Sequence, residues 1–187
     1  MDRPEQLSPK AASKFLSYIL RHHPEAVGVE LDREGWTDID MLLVQTALHG
    51  RPISRDLLQT VVETNNKKRF TLSPCGKRIR AAQGHSTPQV AISHMPQCPP
   101  DVLYHGTAAA FLDAIRQQGL LAGQRHHVHL SADVQTARQV GMRHGKPCVL
   151  TVDAAQMYAA GFEFYLSDNG VWLTESVPVR FLDFQAA

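Results

Sequence analysis

A chain of 187 residues with 43% hydrophobic content has room for a real core in one large domain or two small ones. No apolar run reaches the length of a membrane span, and Met1-Asp2-Arg3-Pro4-Glu5 lacks the apolar region of a signal peptide. Three widely spaced cysteines argue against a disulfide framework or a cysteine-paired zinc site, so the expectation is a cytoplasmic protein with no membrane partner.

The net charge of +1 conceals a patch. Residues 1–97 hold 13 Lys+Arg against 10 Asp+Glu, and the remainder 6 against 8. No acidic residue falls between Thr64 and Pro100, where Lys67, Lys68, Arg69, Lys77, Arg78 and Arg80 all lie. Such a run draws phosphates when it is not simply a solvated face.

Ser8-Pro9 predicts a helix start, with Ser as N-cap and Pro in the first turn. Ala12, Phe15, Leu16, Ile19 and Leu20 then recur at helical spacing, which predicts a buried face. Pro24 ends the helix just after Arg21-His22-His23, cations that suit the macrodipole of a last turn whether or not they bind anything. Val29 and Leu31 predict a short strand before a turn at Arg33-Glu34-Gly35. Asp38 caps a second helix through Met41, Leu42, Val44 and Gln45, closing near Gly50. Ser54 caps a third, with Leu57, Leu58, Val61 and Val62 on its apolar side. Arg69–Leu72 and Lys77–Ala81, joined by Ser73-Pro74-Cys75-Gly76, predict a hairpin. Three helices and a basic hairpin is the order of a winged helix, an architecture that serves nucleic-acid and protein binding alike. The stretch from Gln83 to Pro100, rich in Gly, Ser, Pro and Gln, reads as a linker.

The second half opens with a strand from Leu103 that places His105-Gly106-Thr107 at its end. A helix follows over Ala108–Gln118, with Ala108, Phe111, Leu112 and Ile115 on one face and Gly119 as its C′ residue. In the next strand Val128 and Leu130 point one way, and Arg125, His127, His129 and Ser131 the other. That second face is a row of donors suited to an anionic or polar ligand. Each histidine alone reads as a surface or satisfied core group; together, beside Arg125, they point to a site. Asp133 caps a helix through Ala137, Val140 and Gly141 toward Arg143-His144-Gly145. Cys148–Val152 is a buried strand by its β-branched content. Phe162–Tyr165 and Val171–Thr174 flank Ser167-Asp168-Asn169-Gly170 as a second hairpin, and Val179–Phe184 closes the sheet.

Several segments in order are family-specific. They are Ser13-Lys14-Phe15-Leu16 through Leu20-Arg21-His22, Asp32-Arg33-Glu34-Gly35-Trp36, Lys68-Arg69-Phe70 and the run from Ile79 to Ser86. In the second half they are Leu103-Tyr104-His105-Gly106-Thr107, Val128-His129-Leu130-Ser131, Val140 to Gly145 and Asn169-Gly170-Val171-Trp172-Leu173. Over nearly the whole chain this resembles the RNA 2′-phosphotransferase family, NAD-dependent enzymes that remove a splice-junction 2′-phosphate from tRNA. The resemblance implies an α+β fold, with an N-terminal winged-helix lobe over 1–97 and a C-terminal ADP-ribosyltransferase-like mixed β lobe over 98–187. It implies Arg21, His22, Arg69 and Arg125 as the catalytic, phosphate-handling residues. NAD, consumed as co-substrate, is expected against Tyr104, His105, Gly106, Thr107, His129, Ser131 and Arg143. Lys68 and Arg80 are expected RNA contacts. The partner is an RNA carrying an internal 2′-phosphate, tRNA-like, and the protein is expected to work as a monomer without a metal. Asn66 and Cys75 stand where many relatives carry Asp, and neither is one of the four catalytic positions. Glu175, in the region where many ADP-ribosyltransferases carry a glutamate, is expected to be non-catalytic.

Two other functions compete with this one. An ADP-ribosyltransferase that caps a nucleic-acid phosphate or modifies a protein would use the second lobe but have no need of Arg21, His22 and Arg69. A winged-helix regulator that senses NAD would bind through the same arginines and release no nicotinamide. A zinc site at His126, His127 and His129 lacks a second ligand pair at a familiar spacing.

Overall fold

The Ser8 hydroxyl accepts the Ala11 N–H at 3.3 Å, and with Pro9 behind it this starts α1 (Pro9–Arg21). The computed structural model describes residues 7–65, 67–143 and 145–184, so Asn66 and His144 lie outside the described residues. It divides the chain into two units, 1–93 and 94–187.

In the first unit α1 buries Ala12, Phe15, Leu16, Ile19 and Leu20, the spacing that the sequence carries. A 3₁₀ turn at Pro24–Val27 follows. Val29 and Leu31 form no strand: the Val29 N–H is taken by the Pro24 carbonyl, and Val29 is buried as a packing residue. The strand comes later, as β1 (Thr37–Asp38), after a turn in which Asp32 Oδ1 accepts the Glu34 and Trp36 N–H groups. Asp38 caps α2 (Ile39–Leu48), and Ser54 caps α3 (Arg55–Thr64). The expected hairpin is β2 (Phe70–Leu72) and β3 (Arg78–Ala81), and β1 pairs antiparallel on the other side of β3. Leu16, Ile19, Leu20, Ile39, Leu42, Leu58 and Ile79 fill the core beneath.

Much of the expected linker is built into the units. His85, Thr87 and Val90 are buried. The Ser86 N–H donates to the Arg21 carbonyl, and the Ala91 N–H to the Arg33 carbonyl. Further along, the Gln97 N–H donates to the Phe164 carbonyl within the second unit.

The second unit runs β4 (Val102–Ala108), α4 (Leu112–Gln118), β5 (Leu120–Leu121), β6 (Val128–Leu130), α5 (Val134–Gly141) and β7 (Pro147–Asp153). Then come α6 (Ala154–Ala159), β8 (Tyr165–Leu166), β9 (Trp172–Thr174), β10 (Ser176–Val177) and β11 (Leu182–Asp183). The pairings are antiparallel, in the orders β11-β7-β4, β6-β9-β8 and β10-β5. Tyr104 and Ser131 exchange two main-chain hydrogen bonds of 2.8 Å, which joins β4 to the end of β6. The described residues are therefore α+β: six α-helices with small antiparallel sheets. None of these helices is long and apolar enough to cross a membrane.

Three expectations change here. His105-Gly106-Thr107 lies inside β4, because pairing with β7 continues to Ala108↔Pro147. The helix after it therefore begins at Leu112, beyond a 3₁₀ turn, and Phe111 stays half exposed. In the last stretch only Leu182–Asp183 joins the sheet, against β7, while Val179–Phe181 forms a 3₁₀ turn.

Gly106 and Gly141 mark where α5 lies directly on β4. A Cβ on Gly106 would stand 1.7 Å from the Ala137 carbonyl oxygen, and one on Gly141 2.5 Å from that of Thr107. Backbone meets backbone here with no space for a methyl group.

Candidate functional site

The end of α1 presents Arg21 and His22. Ser86 holds both: its N–H donates to the Arg21 carbonyl at 2.9 Å, and its Oγ hydrogen-bonds His22 Nδ1 at 2.9 Å. Nε and Nη2 of Arg21 are shielded from solvent. Arg69, at the foot of β2, donates from Nη1 to Ser13 Oγ at 3.1 Å, and Asn65 Nδ2 donates to the same oxygen at 3.3 Å. The Arg69 carbonyl accepts the Ala82 N–H. Residues 82–86 thus run from Arg69 to Arg21 and His22, and tie three expected residues to one short segment. All three are partly buried, so each guanidinium or imidazole is oriented by its neighbours rather than by solvent.

Arg125 belongs to the second unit. Its Nη1 donates to His129 Nδ1 at 3.1 Å, and the His129 carbonyl accepts from His105 Nδ1 at 3.1 Å. A carbonyl only accepts, so the His105 proton sits on Nδ1 and Nε2 carries a lone pair. Burial, and next to it the positive charge of Arg125, hold His105 below the ordinary histidine pKa, against the opposing pull of the His129 carbonyl. The ring is therefore neutral near pH 7. Surrounding protein, and then the Arg143 charge, hold the Arg125 pKa below its ordinary value. Two guanidiniums that repel one another in this way form a natural seat for a polyanion.

Tyr104 and Ser131 meet through their main chains, so the Tyr104 amide is already satisfied. In an antiparallel ladder successive residues turn to opposite edges, which puts the Gly106 amide on the Tyr104 side and away from β7. Thr107 is buried under α5. His127 is set apart from this group, with its ring centroid 5.5 Å from Tyr165 and 6.5 Å from His94. Among the described residues no group of three or more His, Cys, Asp or Glu is arranged to hold a metal ion.

The two hairpin cations differ. Lys68 is exposed, with φ at 40°. Arg80 lies over the Trp36 ring at 4.7 Å, and its Nη1 stands 3.7 Å from Glu34 Oε2. Glu34 in turn accepts from the Ser93 N–H and hydroxyl, so Arg80 braces the hairpin against residues 34–36 and 93.

Sequence reasoning passed over Ser13, Asn65 and Ser86 as site residues. The first and last lie inside family-specific segments, which was the available signal. Gly106 is expected against NAD, and the contact that forbids a side chain there is helix α5.

One consequence is measurable in stability. Burial, then His94 and His126, depress the His127 pKa despite the opposing Glu175, so His105 and His127 shift the same way. The unfolded chain takes up protons near the ordinary value of about 6.5, so just below that pH it binds more protons than the folded one. Stability is therefore full above about pH 6.5 and is lost as pH falls through that window. Thermal melting should show a lower Tm at about pH 5.5 than at about pH 7.5, and His105→Gln should flatten the difference. A Tm that holds or rises on acidification would contradict this.

Residues 8–176 match the model of the family described as "RNA 2'-phosphotransferase, Tpt1 / KptA family". The chain is 60% identical over 170 residues to the "Probable RNA 2'-phosphotransferase" of Pseudomonas aeruginosa (strain UCBPP-PA14), covering 91% of this chain and 93% of that one. It is 58% identical over 172 residues to the "RNA 2'-phosphotransferase" of Escherichia coli (strain K12), covering 92% and 94%.

Proposed function

We propose, from the premise that the chain belongs to the RNA 2′-phosphotransferase, Tpt1 / KptA family, that it removes an internal 2′-phosphate from RNA and transfers it to NAD. In this account the first unit is a winged-helix lobe that handles the RNA phosphate. The second is an ADP-ribosyltransferase-like lobe that holds NAD. The observation that carries the NAD assignment is the neighbouring pair Arg125 and Arg143, beside neutral His105 and the His129 ring that accepts from Arg125. A pyrophosphate fits two guanidiniums, and the His105 Nε2 lone pair is an acceptor for a ribose hydroxyl. Tyr104, Gly106, Thr107 and Ser131 shape the strand edge next to them.

NAD supplies a ribose carbon that loses nicotinamide. The RNA 2′-phosphate is mostly a dianion at neutral pH, its second pKa being about 6, and needs positioning rather than a general base to attack that carbon. The product of this step is an ADP-ribosylated RNA 2′-phosphate. In the second step the neighbouring ribose 2″-hydroxyl attacks phosphorus and the RNA 2′-oxygen leaves, giving 2′-OH RNA and ADP-ribose 1″,2″-cyclic phosphate. Charge grows on the phosphoryl oxygens, and Arg21, Arg69 and Arg125 are the donors that meet it. His22, oriented by Ser86, donates to the departing oxygen. Lys68 contacts the RNA backbone, while Glu175 takes no part.

Incubation with NAD and an internally 2′-phosphorylated RNA in the presence of a chelator tests this. The expected products are nicotinamide and 2′-OH RNA. Activity that vanishes in chelator and returns with a divalent ion, or phosphate removal without nicotinamide, would overturn it.

A further inference from the structure

Helix α1 has a second polar face. Ala11, Lys14, Phe15 and Tyr18 share it by helical spacing, and Ser13, the partner of Arg69, does not. There an open groove of about 690 Å³ is lined by Lys14, Phe15, Tyr18, Val27, His49 and Arg51. Its volume falls in the range of pockets that hold small ligands, about 300–1,000 Å³. The Arg51 guanidinium lies over the Phe15 ring at 5.0 Å, Phe15 itself being buried. Tyr18 is 46% exposed, its ring 4.7 Å from that of His23. His49 Nδ1 donates to the Gln45 carbonyl at 2.9 Å, which fixes that ring. Among the described residues lining the groove none is acidic, and the nearby Glu25 is tied to His23 at 2.9 Å.

We propose that this groove is an RNA subsite, which takes one phosphate and one unstacked base of the substrate strand away from the phosphate that reacts. The proposal rests on the reading that the substrate is RNA. Lys14 and Arg51 supply charge for the phosphate. The outer face of Arg51 and the half-exposed Tyr18 ring supply surfaces on which a base stacks, the usual way single-stranded RNA is held. An acidic peptide would use the cations but not the rings. The groove is also within reach of the reacting centre along one rigid element. Lys14 precedes Arg21 by seven residues of α1, about 10 Å of helix axis. That equals about three nucleotides of a stacked strand at about 3.4 Å each. The subsite therefore reads the flank of the 2′-phosphorylated nucleotide and distinguishes an embedded phosphate from one on a very short RNA.

Fluorescence anisotropy with a short, unphosphorylated single-stranded RNA tests the groove directly. The double variant Lys14→Ala, Arg51→Ala should bind about tenfold more weakly, with a salt slope shallower by about 0.7, because one fewer backbone phosphate is neutralised. Tyr18→Ala should lose about fivefold or more of affinity with the slope unchanged. Arg51→Lys should restore the slope but not the affinity. All of these side chains are exposed, so the variants should melt like the parent. In turnover the double variant should raise KM for a long 2′-phosphorylated RNA, leave kcat unchanged, and treat a 2′-phosphorylated dinucleotide as the parent does. Parental RNA affinity in the double variant, equal losses on long and short substrates, or a polyglutamate peptide bound as tightly as RNA would each overturn the proposal. If the parent released no nicotinamide with any 2′-phosphorylated RNA, the proposed activity would fail, while the anisotropy result would still decide the groove.

Discussion

Arg69→Ala is expected to slow formation of 2′-OH RNA by about a hundred- to a thousandfold, the usual effect of losing one preorganised donor to a charged transition state, about 3–4 kcal/mol. Release of nicotinamide should persist, so the ADP-ribosylated RNA 2′-phosphate should accumulate. The asymmetry follows from the chemistry of the two steps. Attack by a phosphate dianion on a carbon that carries a good leaving group asks mainly for positioning, which the proposed function assigns to the second unit. Expelling an RNA alkoxide from phosphorus concentrates charge on the oxygens that Arg69 would meet. His22→Ala should behave likewise, and Ser86→Ala more mildly, since it disorients His22 without removing it. His129→Ala, which removes the acceptor held by Arg125, should slow nicotinamide release itself and leave no intermediate. A gel that resolves ADP-ribosylated RNA separates these outcomes. Nicotinamide release that falls in Arg69→Ala in proportion to final product would defeat the assignment.

Gly106→Ala is expected to be the most damaging single methyl group in the second unit. The new Cβ would stand 1.7 Å from a backbone oxygen of α5, an atom that no side-chain rotation can move aside. Helix and strand would have to part, and the cost should reach the upper end of overpacking effects, about 3 kcal/mol or more. For a unit of this size that is a fall in Tm of about 12 °C or more. Gly123→Ala is the control: nothing lies within 4 Å of a Cβ there, and only the strain of φ +63° opposes it, about 1–2 kcal/mol. Calorimetry should rank the two in that order. A Gly106→Ala protein as stable as Gly123→Ala would mean that α5 does not rest on β4 as described.

What the sequence disclosed divides along the range of the forces involved. Caps at Ser8, Asp38, Ser54 and Asp133 are local hydrogen bonds between a side chain and an amide three residues on, and all four were legible. Strand β1 was not, because Thr37 and Asp38 carry no strand pattern and become a strand only by meeting Ile79 and Arg78. For the same reason β4 was ended too early: Gly106 looks like a breaker until β7 pairs with it on one edge and α5 covers it. Linker composition misled over 83–93, where a few residues, Val90 and His85 among them, anchor a stretch otherwise full of Gly, Ser and Gln. At the site, Arg21-His22-His23 alone read equally well as last-turn cations. Family resemblance singled out Arg21 and His22, and their shared hold on Ser86 is a long-range contact with no trace in periodicity.

The most direct test follows the phosphorus atom. An RNA carrying a radiolabelled internal 2′-phosphate would be incubated with the protein and NAD, and the small products separated. The account predicts that the label leaves the RNA one-for-one with nicotinamide and arrives in ADP-ribose 1″,2″-cyclic phosphate. Label recovered as inorganic phosphate, or retained on the RNA while nicotinamide is released to completion, would contradict it.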